Sequence, residues 1–382
     1  MGNKNKSCPV KKTSIGGQAL MEGIMMRGPE TTAMAVRNTQ GKIVIEKFPT
    51  ETKKRSKFFK LPIIRGVFNY VDSMVLGTKC LMRSAEISGL EEAEEEYQKE
   101  KAAKKVEKEA KKAAKKGIEV DNKPLETPAN DSDVVEKSEV EAKEEVKTEA
   151  KADAKKDSSM MMTAAMVVSV ILGIALSIGL FFLLPTFIYG GIAALFPALV
   201  HKDPAVNSLI QSVIEGLLKL IIIIGYMSLM TLMKDIRRTF QFHGAEHKAI
   251  FCYEAGLELT VENVRNQRRF HPRCGTSFLI LMILVSIFIS FFINPLFYLI
   301  FGFVPGTLVR ALIKLLLIPF IVGIGYELIK IAGKYDNLFT RIISAPGVWL
   351  QHITTKEPDD SMIECAIVSL NEVIPENGSD NW

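Results

Sequence analysis

The sequence predicts a membrane protein, mainly α-helical, with about four transmembrane helices and a cytoplasmic α+β cap built from the N-terminal segment, a central loop and the C-terminal tail. Three observations carry that expectation. The 382 residues are 48% hydrophobic yet 24% charged, a mixture that calls for apolar and charged blocks in different places. The apolar blocks reach span length: residues 158–200 contain no charged side chain, and about 20 apolar residues cross a bilayer. Lys and Arg crowd one set of connections between these blocks and nearly vanish from the other, as a fixed orientation in a membrane requires.

The elements follow in chain order. Residues 1–90 form a cytoplasmic segment with a glycine-rich stretch, GGQALMEGIMMRGPE, then TTAMAVRNTQGKIVIEKFP, whose apolar runs flank Asn-Thr-Gln-Gly and read as a β-hairpin. LPIIRGVFNYVDSMVLGTKCLMRSAEIS has apolar residues at helical spacing interspersed with charge, the pattern of a helix lying on a membrane surface. Residues 91–159 are rich in Glu and Lys, and Tyr97 is their only aromatic. With no apolar face to bury, this segment is expected to be a disordered charged linker.

The first transmembrane hairpin is placed at 160–233, its second span running from about Leu209 to Met233. A His/Cys loop occupies 234–275. The second transmembrane hairpin, 276–332, has spans from about Ser277 to Phe301 and from about Leu308 to Ile331. The apolar remnants GGIAALFPALV and PLFYLIFGFVPG are too short to cross alone, so each is re-entrant or extends a neighbouring helix. Glu215 and Lys219, four apart in the second span, read as an ion pair on one helical face, with a polar path for substrate as the sharper alternative. In the tail, 333–382, SMIECAIVSLNEVI fits a strand followed by a helix, or one helix.

Basic residues precede the first span, fill the 234–275 loop (Lys234, Arg237, Arg238, Lys248, Arg265, Arg268, Arg269, Arg273) and return in the tail. Both termini and that loop are therefore expected to be cytoplasmic. The opening MGNKNKSCPVKK has no apolar core, so no secretory signal is predicted. Five scattered cysteines argue for reduced thiols rather than a disulfide framework. A net charge of +5, mixed in sign, excludes a nucleic-acid partner by composition. The expected partners are the lipid bilayer, an amphiphilic substrate or a membrane protein, and a second copy of the chain.

Chemistry concentrates in the 234–275 loop, which holds three of the five histidines. His243 and His247, four apart, project from one face of a helix and can share an ion. His271 and Cys274, from a Pro- and Gly-containing loop, have the spacing of a second ligand pair folded back onto the first. Glu254, by contrast, lies about 10 Å beyond His247 along a helix axis, too far for the same mononuclear site. A set of His243, His247, His271 and Cys274 offers nitrogen and sulfur ligands, which suits a divalent metal of the zinc type.

His243-x-x-Glu246-His247 also matches the inverted zinc-protease motif, in which two histidines hold metal and the Glu is the general base. Without Cys274, three histidines and Glu246 make a hydrolytic or transferase centre; with it, a closed four-ligand zinc pins the loop to the helix. The first reading is an enzyme with Glu246 as the catalytic residue. The second is a non-enzymatic zinc-stabilised scaffold or membrane-protein biogenesis factor. Gly244 weakens the helix on which the spacing argument depends. A second candidate lies in the glycine-rich stretch, where Arg27 and Glu22, with Arg273 from the loop, can hold an anion or substrate. The alternative there is tight turns packing Met21, Met25 and Met26 into a core.

GGQALMEGIMMRGP, FHGAEHKAIFCYE, RNQRRFHPRCGTSF and SAPGVWLQHITTKEPDDSMIECAI occur in this order. Together they resemble the YqhQ-type bacterial membrane proteins, the family of unknown function numbered 1385, whose members are commonly labelled metal-dependent enzymes. The resemblance implies a multi-pass protein of the bacterial cytoplasmic membrane with a metal centre and no assigned substrate. The charged segment 91–159 is longer than the family usually carries.

Overall fold

The computed structural model describes residues 11–50, 56–89 and 168–381. The expected charged linker, 91–159, lies outside them. Four strands, β1 (Gly16–Leu20), β2 (Gly23–Arg27), β3 (Thr31–Arg37) and β4 (Ile43–Pro49), form an antiparallel sheet in sequential order. The expected β3–β4 hairpin is present. The glycine-rich stretch is not a loop: it is a second hairpin, closed by Met21 and Glu22, with Gly17 opposite Met26 and Leu20 opposite Gly23. Alternation along each strand gives the sheet two apolar faces, and each is covered by helices.

After a short 3-10 turn at Lys57–Lys60 comes helix α1 (Ile64–Ser88). Its Cys80 packs with Leu20, Met25, Met34 and Val36 on one sheet face. The other face presents Ile24, Met26 and Ala33 to helices α4 (Lys234–Glu254) and α10 (Asp360–Asn371). There Phe242, Ala245, Ala249 and Ile250 meet Met362, Ile363, Ala366 and Leu370. Each fully buried aliphatic side chain stabilises such a core by roughly 1.5–3 kcal/mol. The tail segment SMIECAIVSLNEVI therefore resolves as one helix, capped by Asp359, whose carboxylate accepts from the Met362 N–H at 3.0 Å.

Among the described residues three helices are long and apolar enough to cross a membrane: α2 (Val168–Leu195), α3 (Pro204–Met230) and α6 (Gly275–Phe301). The stretch of α2 up to Leu184 belongs to a different unit from the rest of the described chain. The rest of α2 and α6 absorb the two leftover apolar pieces, the second of the alternatives that length allowed. A fourth candidate is α7 (Thr307–Leu316) with α8 (Ile318–Lys334), bent by 46° at the break between them. Pro319 explains the bend, because its ring clashes with the carbonyl four residues back and offers no N–H.

Helix α1 docks on α8 through small-residue contacts and polar clamps. Arg65 grips Glu327 in a two-pronged pair, Nε to Oε1 at 2.7 Å and Nη2 to Oε2 at 2.5 Å, and Asn69 donates to the Tyr326 hydroxyl at 2.9 Å. Glu215 on α3 bonds Lys314 of α7 at 3.2 Å and Gln211 at 2.8 Å. A hydrogen-bonded cation thus reaches it from another helix, in addition to the Lys219 expected one turn away. The short α5 (Val261–Arg265) and α9 (Leu338–Thr354) complete the described chain; α9 rests its Gly347 directly on Ser277 of α6.

Candidate metal centre

Helix α4 carries His243, Glu246 and His247 on one face, and a loop from α5 returns Cys274 to it as the N-cap of α6. Gly244 does not break α4. It permits the chain at Lys356 to lie against the helix, since a Cβ there would collide with the Lys356 carbonyl oxygen, and the Lys356 N–H donates to the Phe240 carbonyl at 2.8 Å. One ligand atom each from His243, His247 and Cys274 falls within 4.8 Å of the others. The two imidazole centroids are 4.4 Å apart, and His243 Nε2 lies 3.0 Å from Cys274 Sγ.

The tautomers are fixed by carbonyl acceptors. His243 Nδ1–H donates to Thr354 O at 2.9 Å and His247 Nδ1–H to Arg269 O at 2.5 Å. Nε2 is therefore the nitrogen that each ring offers to a ligand, the arrangement that orients histidine ligands toward metals. His247 is 1% exposed, and its Nε2 is buried without a hydrogen-bond partner among the described residues. A buried acceptor left unsatisfied costs about 1–3 kcal/mol. A cation among these three atoms removes that cost, so the donor set fits a metal of intermediate softness such as zinc.

Electrostatics agrees with the geometry. Burial pushes the Cys274 thiol up, but His243 and His247 beside it outweigh burial and hold it well below its ordinary value. Its place at the start of α6, accepting from the Thr276 N–H at 3.4 Å, favours the thiolate further. Burial alone lowers His243, but the Cys274 sulfur and Glu246 raise it to about 9. In the metal-free site the pair is thus an imidazolium and a thiolate. Glu246 Oε2 stands 3.9 Å from both His243 Nε2 and His247 Nε2. Burial raises the Glu246 carboxyl despite the two imidazoles, the direction a proton-transferring group needs near neutrality.

Gly17 of β1 brings the glycine-rich stretch to this site. Its N–H donates to the Glu246 carboxylate, and a Cβ at Gly17 would stand 2.7 Å from Glu246 Cγ. The remaining candidates are placed elsewhere. His271 lies beside the cluster, its ring centroid 5.6 Å from that of His247, with its Nε2 3.8 Å from Glu254 Oε2 and 3.1 Å from Arg273 Nη2. Burial lowers His271 to about 4, so it is neutral. Arg273 forms an ion pair with Glu254. Burial raises the Glu254 carboxyl, and His271 and Arg273 overcome it, leaving it at about 2.

Glu22, in the β1–β2 turn at φ 52°, pairs with Arg238 and so ties that hairpin to α4. Arg27 bonds Ser73 of α1 at 3.2 Å and lines a cavity of about 590 Å³ between α1 and the sheet. Sequence reasoning missed Gln351. Its Oε1 accepts from the His271 N–H at 2.7 Å, and its Nε2 donates to His271 O at 2.7 Å and Ser277 Oγ at 2.9 Å. That amide fixes the loop carrying Cys274. Nothing in the spacing of a lone Gln in α9 signals it. The carbonyls of Thr354 and Arg269 are equally invisible to sequence.

The group that could hold a metal, among the described residues, is thus three side chains, with the Glu246 carboxylate beside them. His271, which both expected arrangements included, is not part of this group. Comparison with known proteins adds kinship without a function. The Uncharacterized protein YqhQ of Bacillus subtilis (strain 168) is 31% identical over 366 residues, covering 94% of this chain and 92% of that protein. No solved structure matches the chain. The family described as Protein of unknown function (DUF1385) matches residues 61–376, and the chain belongs to it.

Proposed function

We propose that this is a multi-pass protein of the bacterial cytoplasmic membrane, both termini cytoplasmic, that uses one zinc ion held by His243, His247 and Cys274 as a hydrolase or transferase for an amphiphilic substrate. The observation that carries the reading is the buried, unpartnered His247 Nε2, sharing a 4.8 Å group with Cys274 and His243 while Glu246 faces both imidazoles. Three protein ligands with a place for water or substrate are the pattern of catalytic zinc. Bound there, zinc would supply Lewis acidity toward a carbonyl or phosphoryl oxygen.

The chain's own groups do the rest. Glu246, buried and raised, accepts a proton from the attacking water and returns it to the leaving group. The Thr354 and Arg269 carbonyls hold both imidazoles in the ligating tautomer, and Gly17 N–H aims the Glu246 carboxylate. An amphiphilic substrate follows from Cys274 capping α6, one of the helices long and apolar enough to cross a membrane. Its polar end would meet the cluster while its apolar part stays beside α6.

The second reading, a zinc-stabilised scaffold, is favoured by the same carboxylate if Glu246 closes the coordination as a fourth ligand. Glu246→Gln separates the two. As a general base, Glu246 can be replaced with metal content intact while rescue of a deletion strain is lost. As a structural ligand, its replacement costs metal and folded protein together. Retained metal with full rescue contradicts catalysis.

A further inference from the structure

A second charged cluster is buried among α2, α3 and α7, far from the histidines. Glu215 is 2% exposed and bonds Lys314 at 3.2 Å, and Arg310 Nη1 is 3.9 Å from its other oxygen. Lys219, one turn along α3, lies within electrostatic reach of both Glu215 and Lys314. Two cations, Lys314 and Arg310, thus share one carboxylate. Where α3 and α7 lie in a bilayer, surplus positive charge is costly unless something neutralises it, and such residues mark ligand paths more often than supports.

Two further atoms point the same way. Tyr189, 7% exposed, approaches Glu215 and Arg310, yet its hydroxyl has no hydrogen-bond partner among the described residues. Arg310 Nε, also buried, has none. Both are donors, and they stand beside the excess of cations. Gly216 on α3 packs against Ile287 of α6, which sets the cluster about 20 Å along α6 from Cys274 at 1.5 Å per residue. It is separate from the metal centre.

We infer that this cluster binds a phosphate group, carried by an anionic amphiphile whose chains lie along the outward-facing Leu217, Leu312 and Leu316, which are 56%, 56% and 81% exposed. Arg310 Nε and the Tyr189 hydroxyl donate to its oxygens, and Arg310 and Lys314 balance its charge. Glu215 then serves to hold Lys314 and Gln211 in place. The inference shares with the proposed function only the membrane placement of α3 and α7, not the metal.

The test uses the full chain, delipidated and then reconstituted in phosphatidylcholine nanodiscs with or without phosphatidic acid, with retained lipid counted by native mass spectrometry. Wild type should retain phosphatidic acid over phosphatidylcholine. Arg310→Gln should weaken that binding about tenfold, the worth of one charge-assisted hydrogen bond. Tyr189→Phe, which removes only a hydroxyl without a partner among the described residues, should weaken it several-fold without lowering thermal stability. Competition by inorganic phosphate identifies the free ion as the ligand, and its failure to compete identifies the lipid headgroup. Equal retention of both lipids by wild type with no effect of phosphate overturns the inference, as does unchanged binding in Arg310→Gln and Tyr189→Phe. Metal content, measured on the same samples, should not change in any variant, so this inference and the metal reading fail separately.

Discussion

Gly17→Ala tests whether the glycine-rich strand positions Glu246. The added Cβ would stand 2.7 Å from Glu246 Cγ, 2.8 Å from Met26 Sδ and 2.9 Å from Met25 O. Carbon contacts are comfortable at about 3.5–4.0 Å, so each is short by over half an ångström. Met25 O belongs to the backbone of β2 and cannot retreat without disturbing the sheet. Relief must come from Met26 and Glu246. Overpacking of this kind costs about 1–3 kcal/mol, a fall in apparent melting temperature of about 2–4 °C for each kcal/mol. If the displaced Glu246 carboxylate is the general base, a shift of about 1 Å costs on the order of a hundredfold in rate. Gly16→Ala is the control, because nothing lies within 4 Å of its would-be Cβ, and it should stay within about 0.5 kcal/mol of wild type. Thermal unfolding in detergent and rescue of a deletion strain are read side by side. Equal melting and equal rescue for the two variants would refute the claim that β1 presses on the site.

Gln351→Leu should leave the His271 N–H and carbonyl and Ser277 Oγ without their partner, costing about 3 kcal/mol or more at 1–3 per buried group. Metal content should fall with it, as the loop to Cys274 loosens; wild-type melting would count against that role. Gly244→Ala drives a Cβ into the Lys356 carbonyl, and should lower the melting temperature by several degrees, at about 1–3 kcal/mol for overpacking against backbone. Glu254 is held at about 2 against an ordinary 4.5, so it contributes stability above about pH 4.5 and loses it as the pH falls toward 2. Glu254→Gln should melt lower at neutral pH and show a flatter acid dependence across that window. An unchanged acid profile contradicts the ion pair.

Much of the fold was legible because its signals are local. The apolar runs gave α2, α3 and α6, and the period of 3.6 gave α1. Alternation around Asn38 to Gly41 gave the β3–β4 hairpin. The β1–β2 hairpin escaped because its glycines read as a loop, whereas Gly23 and Gly17 are there for close approach, to Val36 and Glu246 respectively. The bend between α7 and α8 was signalled by Pro319 but masked by continuous hydropathy. At the site, His243, His247 and Cys274 came together as spacing suggested. The position of His271 depended on an Arg273–Glu254 pair and a Gln351 clamp formed between distant segments, and pairing across that distance leaves no trace in spacing. The Glu215–Lys314 bond is the same case: the i,i+4 partner Lys219 was visible, and the partner from another helix was not.

The central claim is that one metal ion is held by His243, His247 and Cys274. Elemental analysis of protein purified without chelators, wild type beside Cys274→Ser and His271→Ala, tests it most directly. The account predicts close to one zinc per chain in wild type, little in Cys274→Ser, and retention in His271→Ala, whose ring faces Glu254 and Arg273. Wild-type protein free of metal, or Cys274→Ser that keeps its full complement, would contradict it.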